Sequence, residues 1–557
     1  MKWLSLLLVP IVFVLSFCGR YSKMEVEAKN YVDSLTSVVE PIYKAANLAY
    51  WNATATGKQK YYDEYSRYEL EIKKIFSSRK DFARIKSFKE DRRIKDPVLR
   101  RVFEVLYNDF LLNQADTTLL RRITELSTRV EKKFNTFRGE IDGKKVSMNE
   151  VKRILRTSND TELRRKAWVA SKQVGEVVAD DLLELVKLRN ELACSLGFPD
   201  YYTLKLYVQE FKPEELDRLF DRLDEVTREP FARIKAEIDS ILAARFGVEE
   251  EELRPYHYSD PFFQEAPNIY TISLDRYYKD ANVAELVSDF YKSMGIDVQP
   301  IIERSDLYER EGKYPHAYCT NIDRKGDIRV MVNLKPTEQW VETMLHELGH
   351  AIYEVYIDPT LPFFLRDPAH SFTTEAVAMF FGRLSKNPEW MREMLNLSEQ
   401  ETEKIRSVVE KTLTMEQLIF ARWAQVMYRF EKALYKDPDA DLNELWWDLV
   451  EKYQKVRRID GRDKPDWATK IHICSYPVYY HNYMLGELLA SQFLFTIMEE
   501  EGVDKIKDLR FAGNIKMGKY FVNRVFRPGK KYRWDRFVEY ATGESLNPEY
   551  FVKQFCR

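Results

Sequence analysis

The chain has 557 residues, enough to bury a large core, and 45% hydrophobic with 32% charged residues is the composition of a soluble globular protein. A formal charge of −2 removes the electrostatic case for nucleic acid as the main partner. Only 19 Gly and 21 Pro interrupt long stretches rich in Leu, Glu, Lys, Arg and Ala, which predicts a mainly α fold.

Residues 1–17 join a cationic start at Lys2 to an apolar run from Trp3 to Phe17, broken by Pro10 and short for a membrane span; they read as an export signal. Leu15-Ser16-Phe17-Cys18 is similar to a bacterial lipobox, with Phe17 where a small residue is usual. It predicts a lipidated Cys18, a polar tether over 19–28, and a membrane-anchored lipoprotein in the periplasm or on the cell surface. Residues 29–557 read as one domain, expected to be monomeric, whose part from about 29 to 135 supplies amphipathic lid helices such as Tyr61-Tyr62-Asp63-Glu64-Tyr65. A break at Gly139–Lys145 precedes a second helical block to about Phe246, and Arg254–Pro267 is a Pro-rich, aromatic connection. Pro315–Ile322 and Asp327–Leu334 flank Asp323-Arg324-Lys325-Gly326 and predict a short β-hairpin.

The hairpin leads into Val341-Glu342-Thr343-Met344-Leu345-His346-Glu347-Leu348-Gly349-His350. On a helix, His346 and His350 project from one face and can reach a single metal ion, with Glu347 beside them; this is a zinc-hydrolase arrangement. With only seven histidines in the chain, accident is a poor explanation. Pro336 is placed for the first turn of that helix, and Asp358-Pro359 stops it. Catalytic zinc needs a third protein ligand and an open position. Glu354 would put three ligands on one helix in poor tetrahedral geometry, and Tyr353 and Tyr356 stand where the pattern with a later Gly and third His would need those residues. Glu375, in the apolar segment Ser371–Phe381, is preferred, because a lone carboxylate there is costly unless paired or bound to metal. The metal set is therefore His346, His350 and Glu375 around one zinc ion.

Beyond Glu375 the chain reads as helical to about Lys455, Asp460–Pro465 is a loop, and Lys470–Tyr483 is dense in hydrogen-bonding side chains ahead of a helix to about Glu501. His257 and His370 read as structural or exposed. Without Cys18 four cysteines remain, and Cys319 and Cys474, each close in sequence to a histidine of the same expected cleft, are candidates to pair.

Several segments in order resemble the angiotensin-converting-enzyme family of zinc peptidyl dipeptidases (gluzincins), with a weaker likeness to thimet oligopeptidases and oligoendopeptidases. They are His316-Ala317 thirty residues before His346, Gln264 followed by Asn268-Ile269-Tyr270, and Lys470-x-His472 followed by Tyr480 and Tyr483. Trp168 and Arg189–Ala193 are fainter echoes. The resemblance implies a helical two-lobed ellipsoid cut by a deep central channel, roofed by N-terminal helices, with zinc on its floor. It implies Glu347 as general base and acid, Tyr483 and His472 as supports of the tetrahedral intermediate, and His316 with Ala317 as substrate-binding. Gln264, Lys470 and Tyr480 would hold the C-terminal carboxylate of an oligopeptide substrate, so that dipeptides are released. Three departures stand out: an extra residue between His472 and Tyr483 leaves Tyr479 competing with Tyr480, Met379 replaces an acid expected to orient a zinc histidine, and Asn482 replaces an Arg linked to chloride activation. The alternatives are a zinc endo-oligopeptidase that ignores the C-terminus and a non-enzymatic surface lipoprotein that retains the fold.

Overall fold

The computed structural model describes residues 22–267, 269–270 and 273–556. The predicted export signal, Cys18 and the first part of the predicted tether lie outside them, as does Asn268. About 70% of the described residues are helical, and the sheets among them are two antiparallel pairs. No helix among the described residues is long and apolar enough to cross a membrane.

Within the stretch 19–28 expected to be a polar tether, the chain is helical from Lys23, where the first helix begins and runs to Thr56. Ser22 and Glu25 form a capping box, Ser22 Oγ accepting from Glu25 N–H and Glu25 accepting from Ser22 N–H, which nucleates the helix there. Glu25 also accepts the N–H groups of Lys95 and Asp96, fastening this start to the Pro97–Leu111 helix. The break at Gly139–Lys145 is a small hairpin, Gly139–Ile141 with Lys144–Val146, turning through Asp142 (φ 49°) and Gly143 (φ 77°). The second helical block follows as predicted, its longest members being Thr161–Ser195 and Pro213–Phe246.

The predicted hairpin forms from Tyr318–Asn321 and Ile328–Met331, in the register Cys319 to Val330. The first helix lies along it: Trp51 and Ala55 pack on Ile322 and Met331, and Asn47 donates to the carbonyls of Asn321 and Ile322. The histidine helix spans Glu338–Val355, with Thr337 rather than Pro336 at its start; the Thr337 hydroxyl accepts from Trp340 N–H, so Pro336 precedes the helix instead of opening it. Next comes the carboxylate helix, Ser371–Gly382, capped by His370, whose Nδ1 accepts from Phe372 N–H. The tyrosine helix, His481–Glu501, packs on its other side.

These three helices approach at small residues. A Cβ on Gly349 would lie 2.8 Å from the Cα of Ala378, and one on Gly486 would lie 3.1 Å from the Cβ of Glu375. Glycine is required at Gly349 by this contact rather than by its own backbone angles. Around the three helices one continuous apolar core extends from Ala28 to Phe555.

Candidate metal centre

His346 and His350 fall on one face of the histidine helix, their ring centroids 4.9 Å apart. The carboxylate helix brings Glu375 to them, with Oε2 3.9 Å from His346 Nε2 and 4.0 Å from His350 Nε2. One donor from each of the three lies within 4.8 Å of the others. Ligand bonds of about 2.0–2.1 Å place the donors of a tetrahedral zinc site about 3.3 Å apart, so the two contacts of Glu375 with the imidazoles lie within about 0.7 Å of that spacing. Glu354 is elsewhere, accepting from Asn321 Nδ2 at 2.7 Å.

The protonation of the site also fits a cation. Burial holds His346 down to about 4 and His350 well below its usual range, so both imidazoles are neutral and offer lone pairs. Burial, then the charge of Glu375, pushes Glu347 up to about 8; burial, then Glu487, pushes Glu375 up to about 7. Two carboxyls crowded beside two neutral imidazoles is an arrangement that a divalent ion relieves. The side chains of His346, His350 and Glu375 keep 30%, 18% and 18% of their exposure, so solvent and substrate have access.

The orienting contact is one the sequence did not disclose. Thr374 Oγ1 lies 2.7 Å from His350 Nδ1, leaving Nε2 toward Glu375. Met379 makes no such contact, its sulfur instead filling the space over Gly486. Glu487, beside Glu375, is paired with Arg383 and accepts from Gln417.

On the hairpin side, the backbone of Cys319 acts on the Glu347 carboxyl and favours its charged form, so strand Tyr318–Asn321 runs past the candidate base. His316 and Ala317 directly precede that strand; His316 is exposed, with its ring 5.2 Å from that of Tyr314. The expected pairing of Cys319 with Cys474 is not present, and both thiols are free. Cys319 stays beside Glu347, whereas the Cys474 thiol donates to the Ser127 carbonyl at 3.8 Å.

Gln264, Lys470 and Tyr480 come together across 216 positions of chain. Lys470 Nζ donates to Gln264 Oε1 at 2.6 Å and lies 5.2 Å from the centre of the Tyr480 ring, with Phe262 and Trp423 each 5.1 Å away. Tyr480 Oη accepts from Trp423 Nε1 at 2.7 Å. Of the two competing tyrosines, Tyr480 therefore stands at Lys470, while Tyr479 lies by Ser371 and feels the charge of Glu375. Tyr483 also feels Glu375, and its ring is 5.3 Å from Tyr480 and 6.3 Å from His472. Burial holds His472 down to about 4 and raises Tyr483 to about 12, so both are neutral at pH 7. Asn482 is buried and donates to Gln209 Oε1. Phe262, Trp423 and Ser371 carried no signal in the sequence; only the fold gathers them.

Residues 154–556 match the family model described as Peptidase family M3, and residues 22–253 match the one described as Angiotensin-converting enzyme. The first match contains the metal centre and the cluster around Lys470; the second ends before Gln264.

Proposed function

The chain belongs to peptidase family M3, a family of zinc metallopeptidases, and on that premise we propose that it releases C-terminal dipeptides from oligopeptides. The observation that carries this reading is Lys470. The residue is 7% exposed, and its ammonium hydrogen-bonds Gln264 and has no salt bridge among the described residues. Asp260, the acid whose charge acts on it most, keeps its oxygens on the N–H groups of Phe262, Gln264 and Glu265. A buried cation without its own carboxylate, flanked by an amide and a tyrosine, suits the free carboxylate of a peptide.

His346, His350 and Glu375 would hold the zinc ion, which when bound polarises the scissile carbonyl and makes water nucleophilic at neutral pH. Glu347 takes the proton of the attacking water and passes it to the departing nitrogen. Tyr483 and His472, both neutral, donate hydrogen bonds to the oxygen that gains charge; losing one such donor typically costs about 2.7–4 kcal/mol. His316, Ala317 and the strand after them offer main-chain groups to an extended peptide, a grip with little side-chain selectivity.

The second reading, an endo-oligopeptidase, is favoured by one fact: the family M3 match covers the site, whereas the angiotensin-converting-enzyme match stops at residue 253. Mass spectrometry of the products from one decapeptide separates the two. Successive dipeptides from the C-terminus support the proposal, and internal cuts insensitive to amidation overturn it. We also propose export and lipid anchoring at Cys18; globomycin should cause a precursor to accumulate, and unaltered processing would count against it.

A further inference from the structure

Val478 has φ 55°, in the left-handed region where a β-branched side chain is a steric outlier. Such a conformation persists only where the surroundings over-determine it, and the surroundings here are specific. Val478 N–H donates to Glu431 Oε1 at 2.7 Å, and its carbonyl accepts from Gln209 Nε2 at 2.8 Å. Neither partner is local. Glu431 belongs to the Glu399–Lys436 helix, and Gln209 ends the Tyr201–Val208 helix.

Glu431 is 4% exposed and forms no salt bridge among the described residues. Desolvating a carboxylate to accept one backbone N–H is unfavourable and adds nothing to its own helix. Gln209 is a hub: its Oε1 accepts from Asn482 of the tyrosine helix, and its carbonyl lies 3.1 Å from Nε2 of His370, the cap of the carboxylate helix. Upstream, buried Arg189 donates to the carbonyls of Ile473 and Cys474, fixing the other end of the same segment. Two residues after Val478 comes Tyr480, between Lys470 and His472, and then Tyr483.

We propose that Glu431 and Gln209 are positioning residues that hold Val478 in its left-handed conformation and so set Tyr480 against Lys470 and Tyr483 against the metal centre. The inference rests on the dipeptide-releasing reading for the role of Tyr480, but not for that of Tyr483.

The test compares kcat/KM for one peptide as free acid and as C-terminal amide. Glu431→Ala should lower the free-acid value about tenfold to a hundredfold, the scale of a small misplacement of catalytic groups. Glu431→Gln, which keeps an acceptor oxygen, should stay within about threefold of the unsubstituted protein. Adding Val478→Gly to Glu431→Ala should restore most of the loss, because glycine adopts positive φ without strain. If Glu431→Ala fails to fold, Gln209→Ala with and without Val478→Gly gives the same comparison. A folded Glu431→Ala protein with unchanged kinetics, or a double variant no better than the single one, overturns the inference. Should the unsubstituted protein treat acid and amide alike, the terminal-carboxylate reading fails instead. The positioning inference is then decided by the glycine rescue on the amide, which depends on Tyr483.

Discussion

Gly349→Ala sets helix propensity against packing beside a metal ligand. In a helix interior alanine is preferred to glycine by about 1 kcal/mol, so propensity alone predicts a more stable protein. The added methyl, however, would lie 2.8 Å from the Cα and 3.3 Å from the nitrogen of Ala378. Non-bonded carbons rest about 3.5–4.0 Å apart, so the histidine and carboxylate helices must part by about 0.7 Å or more. Overpacking of this kind costs about 1–3 kcal/mol, which cancels or exceeds the propensity gain. The larger effect should be on metal, since Gly349 adjoins His350 and Ala378 follows Glu375 by less than one turn. Donors that stand 3.9 and 4.0 Å apart are then driven further from bonding distance, and zinc affinity should fall by about tenfold or more. Competition with a chromogenic chelator measures that affinity, and thermal unfolding of the metal-free protein measures stability. A variant with raised Tm and unchanged zinc affinity would refute the claim that this helix contact sets the spacing of the site.

Glu347→Gln should retain zinc while lowering kcat by about two to four orders of magnitude, as measured by metal analysis beside turnover of a quenched peptide; substantial residual turnover would contradict the role of Glu347. Lys470→Ala should cost about 2 kcal/mol or more with free-acid peptides, roughly thirtyfold in kcat/KM, and far less with amides; equal losses would favour the endo-oligopeptidase reading. Burial holds Lys470 down to about 8, so it is cationic below that pH and neutral above it. The kcat/KM for free acids should therefore fall as pH rises through about 8, by up to tenfold per unit, without a matching fall for amides. Thr374→Val removes the partner of His350 Nδ1 and should weaken zinc binding about tenfold to a hundredfold by chelator competition.

What was legible in the sequence was local or periodic. The spacing of His346 and His350 needs only the pitch of a helix, and Glu375 betrays itself as a carboxylate in an apolar segment. The mainly α fold follows from the scarcity of breakers. Capping was harder to read: Ser22 and Glu25 start a helix inside the expected tether, and Thr337 displaces Pro336 from the first turn. Contacts between distant segments left no trace, so Thr374 stayed hidden although it precedes Glu375 by one residue. The extra residue before Tyr483 was visible, but the left-handed backbone of Val478 was not, since its hydrogen-bond partners Glu431 and Gln209 are 47 and 269 positions away. Cys319 and Cys474 each lie close in sequence to a histidine of the expected cleft, yet such proximity does not make two thiols neighbours, and both are free.

Zinc content per chain after dialysis against a weak chelator, for the unsubstituted protein and for Glu375→Gln in parallel, tests the metal centre most directly. One zinc per chain in the former and its loss from the latter is the expected result. Equal retention by both, or no zinc in either after loading, would contradict a site built from His346, His350 and Glu375.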